Sequence, residues 1–410
     1  MRPQQPTPAH NSGELAELVC SNSLGGGPGT AARLLQSELS RLGSLIMEAA
    51  SAARVPAGGA LAVDRELFAR HVTKRVGNHP LIVLRREEVT EIFPNGVRII
   101  ATGPLTSDGL AAALEAYAGG RLFFFDAIAP SVTVGSIDQA RVFRASRYGK
   151  GEADYLNCPM DREGYLAFRE ALVAAERHPL RSFEKAVYFE GCLPVEVLAE
   201  RGVDTLRFGP LKPVGLVDPR TGERPYAVVQ LRQETVSGSL YGLVGFQTNL
   251  RWPEQRRVFA LIPGLENAEF ARLGVMHRNT YLASPQVLRR TLESRRDPGL
   301  FFAGQLTGVE GYLESTAMGL LAGINAAARC LGEEPVAFPP STMVGALAYY
   351  LEKADPRHFQ PMNANYGLLS PPAEGCGDRK RKKEQLTGRA LGDLGEFLAS
   401  TPVACAKPLC

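Results

Sequence analysis

Three cysteines sit where a thiol could react. Cys20 lies in Leu18-Val19-Cys20-Ser21-Asn22-Ser23, where an apolar run gives way to residues that favour turns and caps. Cys192 follows a glycine in Glu190-Gly191-Cys192-Leu193-Pro194, and Cys158 in Leu156-Asn157-Cys158-Pro159-Met160 has the same local look. A thiolate is a strong nucleophile, yet a lone cysteine is more often a small buried hydrophobe, so spacing alone does not choose among the three. The chain has seven cysteines, an odd number, scattered and without C-x-x-C. Neither a disulfide framework nor a metal site is indicated, and the thiols read as free.

A second constellation runs from Phe301 to Cys330. A strand that ends in Gly304, Gln305, Gly308, Val309, Glu310 and Gly311 before a helix with an uncapped start offers free backbone N–H groups and a positive dipole end. That suits a phosphate or a reduced flavin ring. Ala317, Gly319, Ala322, Gly323 and Ala326 then let the helix pack closely. Ala101-Thr102-Gly103, after another strand, is a feature common in FAD-binding proteins. Gly27-Pro28-Gly29-Thr30-Ala31-Ala32 spells the dinucleotide fingerprint G-x-G-x-x-A but reads as a flexible loop. No β-branched strand precedes it, Pro28 removes a needed N–H, and Glu48, at the right distance for the ribose, lies inside a helical pattern. Arg379, Lys380, Arg381, Lys382 and Lys383 are either a solvated tail or a phosphate-binding patch. Met276-His277-Arg278-Asn279 is either a donor-rich loop or a polar turn. The P-loop, H-E-x-x-H and G-x-S-x-G are missing, which removes the commonest nucleotide hydrolase, metalloprotease and esterase signatures.

The elements that must position these residues follow from periodicity. Leu34 to Ala53 reads as helix, with Leu34, Leu35, Leu39, Leu42, Leu45 and Ile46 spaced near one turn. Asp64 is a plausible N-cap for a second helix to Val76, ended by Asn78-His79-Pro80. Leu81 to Leu84, Glu88 to Phe93 and Val97 to Ala101 look like strands. From Leu105 to Arg290 short β-like runs alternate with Pro and Gly, and Asp218 to Gly222 reads as a hairpin turn. Leu300 to Ala303 is a buried strand, followed by the long helix to Cys330 and a shorter helix. The fold class is therefore α/β with an inserted, mainly β domain; that the interrupted domain is a Rossmann-like FAD-binding one is what the family resemblance implies. The expected division is 1–105 and 291–372 for the FAD-binding domain, 106–290 for the insert and 373–410 for a basic, flexible tail.

Composition bounds the answer. Of 410 residues 45% are hydrophobic and 22% charged, which excludes disorder and fibrous repeats. Ser315 to Ala328, an apolar stretch bounded by charges, is 14 residues and too short to span a membrane. The N-terminus has no apolar core for a signal peptide, so a cytoplasmic location is expected. A net charge of +3 does not by itself argue for nucleic acid.

Several separated words carry a resemblance: ELVCSNSL (17–24), VPAGGALAVDRE (55–66), ATGPLTS (101–107), YLNCPM (155–160), FEGCLPVE (189–196), YAVVQLRQE (226–234), GVMHRNTYL (274–282) and FQPMNANYGL (359–368). Taken in order over nearly the whole chain, they closely resemble the bacterial folate- and FAD-dependent tRNA (uracil-5-)-methyltransferases. The resemblance implies a flavoprotein enzyme that forms 5-methyluridine (ribothymidine) at T-loop uridine 54 of tRNA. It implies 5,10-methylenetetrahydrofolate as carbon donor, NAD(P)H as reductant through FAD, and no membrane or DNA partner. It further implies that Cys20 and Cys192 are the functional cysteines, one paired with the flavin or its methylene adduct and one with the nucleobase. Relative to that family the chain starts after the first strand, glycine loop, first helix and second strand with its acidic end, roughly 30 residues, so an N-terminal truncation or a late start is expected. Two other readings stand beside this one: a related flavoenzyme that builds carboxymethylaminomethyl groups on wobble uridine, and a non-catalytic RNA-binding remnant.

Overall fold

The computed structural model describes residues 7, 9–119, 122–149, 152–179, 193–371 and 378–401. The helices used below are, in chain order, α1 (Ala31–Arg41), α2 (Leu45–Ala52), α3 (Arg65–Gly77), α4 (Asp108–Ala118), α5 (Arg162–Ala174), α6 (Val195–Glu200), α7 (Thr205–Phe208), α8 (Trp252–Phe259), α9 (Ser284–Val287), α10 (Tyr312–Cys330), α11 (Met343–Lys353) and α12 (Arg379–Ser400). The strands are β1 (Arg54–Val55), β2 (Ala62–Val63), β3 (Arg98–Ile100), β4 (Leu122–Ala127), β5 (Ser131–Thr133), β6 (Phe143–Arg144), β7 (Tyr155–Met160), β8 (Ala227–Gln233), β9 (Leu240–Leu243), β10 (Phe270–Arg272), β11 (Met276–Tyr281) and β12 (Leu300–Phe302). They form two compact units. One gathers segments 1–23, 52–86 and 124–278, the other 24–51, 87–123 and 279–410. The segment that carries Cys20 thus belongs with the β-rich stretch, so the units cut across the linear division expected from the sequence.

The first unit is built on an antiparallel sheet in the order β10-β5-β9-β8-β7-β6. β7 and β8 pair in register from Tyr155 opposite Arg232 to Met160 opposite Ala227. Ala227 to Leu231 are buried at every position, which is why this strand reads as a continuous apolar run and not as an alternation. Asp161 caps α5 through Gly164 N at 2.7 Å, and Tyr165, Phe168 and Leu172, at helical spacing, turn into the core. Phe246 meets Phe259 edge-on at 5.5 Å there.

In the second unit β3 and β12 pair in parallel, Arg98 opposite Leu300 to Ile100 opposite Phe302. The far edge of β12 is also occupied: Phe302 N donates to Leu292 O at 3.1 Å and Ser294 N to Leu300 O at 2.8 Å. α1, α10 and α11 pack on one another, and α12 lies against α1. α10 spans the predicted range and buries Ala317, Ala322 and Ala326. Gly319 and Gly323 instead face open space, so close packing of this helix rests on the alanines.

Four expectations are corrected. The helix expected from Leu34 to Ala53 is two helices, broken where Gly43 takes φ 68°. Leu81 to Leu84 and Glu88 to Phe93 are not strands, and Leu81 and Val83 are exposed there; β-propensity without a neighbouring strand does not make one. The Asp218 to Gly222 turn forms, closed by Gly222 N to Asp218 O at 2.8 Å, but joins no two strands. The expected flexible tail contains α12: Asp378 caps it through Lys380 N and Arg381 N, and Leu386, Ala390 and Leu394 are buried at every fourth position.

Glu38 on α1 is fully buried and accepts from Met343 N at 2.8 Å and Val344 N at 2.9 Å, so it caps α11 from another helix. Burial pushes its pKa up to about 7, against the pull of those two N–H groups. A folded pKa above the unfolded one means the native state holds the extra proton, so this group loses stability as pH rises from about 4.5 to 7. Glu38→Gln should therefore gain roughly 3 kcal/mol relative to wild type between pH 5 and pH 8. Urea unfolding of both proteins at the two pH values measures this, and a constant difference would refute it.

Candidate active site and cofactor cradle

In the first unit the Cys20 loop is held from both sides. Arg65, the first residue of α3, donates from Nη1 to Leu18 O and from Nη2 to Cys20 O, each at 3.2 Å. The same Nη2 reaches Glu234 Oε1 at 2.9 Å, with the two side chains 14% and 8% exposed, so the pair is largely out of water. Two residues past the thiol, buried Asn22 donates to Val63 O and Gln233 O at 3.0 Å and accepts from Arg232 Nε at 2.8 Å. α3 is in turn fixed by Asp64, whose Oδ1 takes Glu66 N and Leu67 N and whose Oδ2 takes Val236 N at 3.0 Å. The backbone around Cys20 is tied to one helix start and one strand end. Its thiol is half-buried and donates to Ala127 O at 3.8 Å.

Glu234 is the common counter-charge. Its oxygens meet Arg65, Ser131 Oγ at 2.7 Å and Arg272 Nη2 at 3.9 Å. Burial pushes its carboxyl up, but Arg65, Arg272 and Arg232 outweigh that and hold it below the ordinary carboxylate value. Burial lowers the pKa of Arg232, while Tyr155, Glu234 and Cys20 act to raise it. By reciprocity a thiolate at Cys20 is attracted by that guanidinium. Cys158 is the opposite case: fully buried in β7, its thiol is driven far above its ordinary value by burial, with Glu266 adding to the effect, and is inert as a nucleophile. Cys330 is exposed at the end of α10. Cys192 lies outside the described residues. Among the described residues no group of His, Cys, Asp and Glu is placed to hold a metal ion.

In the second unit the two predicted glycine segments converge. Ala101, Thr102 and Gly103 leave the carboxyl end of β3, and Gly304 to Gly311 leave the carboxyl end of β12, its parallel neighbour. Ala303 N donates to Ile100 O at 2.9 Å and closes the pair. Gly308 (φ 87°) must be glycine twice over, since a Cβ would also stand 2.5 Å from the Phe359 ring. Gln305 Nε2 donates to Glu310 Oε2 at 2.6 Å, and Val309 bridges Met362, with Glu310 N on Met362 O at 3.0 Å. α10 then starts at Gly311 without a side-chain cap.

Glycine loops at the carboxyl ends of parallel strands, followed by an uncapped helix, define the α/β class that binds dinucleotides at that edge. The family described as "Glucose inhibited division protein A" matches residues 7–334. Methylenetetrahydrofolate--tRNA-(uracil-5-)-methyltransferase TrmFO of Geobacter sulfurreducens is 60% identical over 98% of this chain and 92% of its own length. The enzyme of the same name from Desulforudis audaxviator is 61% identical over 97% of this chain and 91% of its own length. A solved structure of Aquifex aeolicus GidA superposes with a TM-score of 0.68 over 95% of this chain and 68% of that one, and at 17% identity it speaks to fold alone. The chain belongs to the glucose inhibited division protein A family, in its branch of methylenetetrahydrofolate--tRNA-(uracil-5-)-methyltransferases.

That family binds FAD, and the cradle fits it. Gly103 (φ 69°) has nothing within 4 Å of where a Cβ would stand, and at Gly304 only Ser315 Cβ comes within that distance, at 3.9 Å. Both leave room for a ligand to approach backbone N–H groups. Buried Asn279 has both amide atoms without a partner among the described residues.

Reading the sequence missed Arg65, Glu234, Arg232 and Asn22. One signal was available: Arg232 and Glu234 interrupt an apolar β-run, and a charge in a buried strand requires a counter-charge.

Proposed function

We propose that the protein methylates C5 of uridine 54 in the T-loop of tRNA, taking the carbon from 5,10-methylenetetrahydrofolate and the electrons from NAD(P)H. The observation that carries this reading is the half-exposed Cys20 thiol on a loop whose backbone is held by Arg65 and Asn22. The names of the close relatives support it. Uracil C5 attacks nothing until a thiolate adds at C6 and leaves electron density at C5. C5 then bonds to the methylene carbon as the first of its two bonds to folate nitrogen breaks. Loss of the C5 proton and departure of the thiolate restore the ring, and a hydride equivalent, two electrons with a proton, replaces the second carbon–nitrogen bond, completes the methyl group and releases tetrahydrofolate. FAD, when bound, supplies those electrons. Cys20 and Cys192 share the roles of base adduct and methylene handling. Ala101, Thr102, Gly103, Gly304, Gln305, Gly308, Val309, Glu310 and Gly311 hold the cofactor, with backbone N–H groups as the donors. The direct test is transfer of labelled methylene carbon to tRNA unmodified at this position, with FAD present. No label in C5 would reject the reading.

We further propose that tRNA is contacted at the start of α12. Arg379, Lys380, Arg381, Lys382 and Lys383 occupy its first turns, behind the N-cap Asp378, where the helix dipole disfavours cations. An anionic partner explains that arrangement. Lys383 lies 5.6 Å over the Tyr366 ring, and Tyr366 OH bonds Thr387 at 2.8 Å, which fixes the patch on the second unit. Replacing the five residues by alanine is expected to weaken tRNA binding and to reduce the slope of log affinity against log salt by about 1 for each phosphate no longer neutralised. An unchanged slope would make the patch a solvated helix end.

A further inference from the structure

Asn279 is fully buried in β11, and neither its amide nitrogen nor its oxygen has a hydrogen-bond partner among the described residues. Side chains of the glycine segment after β12 are satisfied within the chain. Thr307 Oγ1 donates to Gly304 O at 2.7 Å, Ser284 Oγ donates to Thr307 O, and Gln305 bonds Glu310. A buried amide with nothing to bond is costly, and a fold that keeps one normally supplies its partner from outside the chain.

Its position says what that partner is. One residue on, Thr280 N donates to Pro104 O at 3.3 Å, and Leu282 N donates to Leu306 O at 2.9 Å. β11 therefore lies against both glycine segments, the one after β3 and the one after β12. Tyr281, two residues along the strand and so on the same face, has its ring 3.6 Å from the Cβ position of Gly308. Asn279 shares that face. A carboxamide presents one donor and one acceptor side by side in a plane, the complement of a ring edge in which N–H adjoins C=O.

We propose that Asn279 is a cofactor-contacting residue whose amide pairs with the N3–H and adjacent carbonyl edge of the flavin ring. This rests on the reading of the glycine segments as the FAD cradle. The pterin of the folate has a comparable lactam edge, and the experiment separates the two. Apoprotein of the full chain is titrated with FAD and with N3-methyl-FAD, for wild type and for Asn279→Leu, which has nearly the same shape and no polar atoms.

Wild type is expected to bind FAD about tenfold to a hundredfold more tightly than N3-methyl-FAD. In Asn279→Leu the preference should vanish because FAD affinity falls to that of the analogue. Thermal stability of the variant apoprotein should be equal or higher, since leucine orphans no polar group; a merely structural asparagine would give a loss. Should the variant not fold, the wild-type comparison still decides, because equal binding of FAD and its N3-methyl analogue overturns the pairing. A folded variant that keeps its FAD affinity also overturns it. If that variant loses a folate analogue instead, the amide belongs to the pterin and the flavin assignment falls. Wild type that binds no FAD would overturn the cradle itself and this inference with it.

Discussion

Cys20→Ala is expected to lower methyl transfer to tRNA by at least about a thousandfold while leaving the fold intact, and Cys192→Ala should do the same. Cys20 is the thiol that the structure leaves half-exposed, on a loop whose carbonyls Arg65 holds. Cys330→Ala should change little, because that thiol ends α10 on the surface. Cys158→Ala should cost stability through poorer packing in β7, with activity retained in whatever folds. A tRNA carrying 5-fluorouridine at the target separates the two functional cysteines. With fluorine at C5 there is no C5 proton to lose, so the thiol that adds at C6 stays attached and is found by peptide mapping. Retained transfer in either alanine variant would remove that cysteine from the mechanism.

Glu234→Gln is expected to destabilise the first unit by about 3 to 5 kcal/mol at neutral pH. The carboxylate is the shared counter-charge of Arg65, Arg272 and Arg232, and its removal leaves guanidinium groups in a site too buried for water to compensate. The Cys20 loop should loosen with it, since Arg65 holds the Leu18 and Cys20 carbonyls from that position. The pH dependence has a definite sign. Glu234 has a depressed pKa, so its contribution is complete above the ordinary carboxylate range and is lost as pH falls through the folded value. The gap between variant and wild type should therefore narrow below about pH 4. As a control, Arg251→Ala breaks a pair whose side chains are 51% and 71% exposed, and should cost under about 1 kcal/mol. Denaturant unfolding that shows Glu234→Gln as mild as the control would refute the argument.

How much of this could be read in the sequence depends on the range of each interaction. The start of α3 was legible because a cap needs only Asp64 and the next three residues, and the end of α10 because its apolar and small residues stop at Cys330. The strands expected at Leu81 to Phe93 failed because a strand is decided by a partner, which no local window contains. The tail failed differently: five charges hid the fourfold spacing of Leu386, Ala390 and Leu394. In the site, Cys20 was visible as a loop thiol and the glycine segments as a pattern. The clamp was not, because Arg65 and Glu234 are 169 residues apart and Asn22 and Gln233 are 211 apart. Asn279 fell within a stretch legible as either a donor-rich loop or a polar turn, whereas it is part of β11, and a strand depends on partners outside any local window.

The alternation of the chain between its units, at 23/24, 51/52, 86/87, 123/124 and 278/279, bears on how the molecule is made. On the ribosome the first unit has all its segments once residue 278 has emerged, whereas the second still lacks β12, α10, α11 and α12. Until they appear, α1 must wait with Leu34, Leu35 and Leu39 uncovered, and α4 with Leu110 and Leu114. The half-made protein is thus a finished sheet domain carrying unsatisfied helices, the kind of species that chaperones retain. Because both units are discontinuous, no single cut in a loop can release either one whole, and expression of one alone requires the chain to be rejoined in a new order.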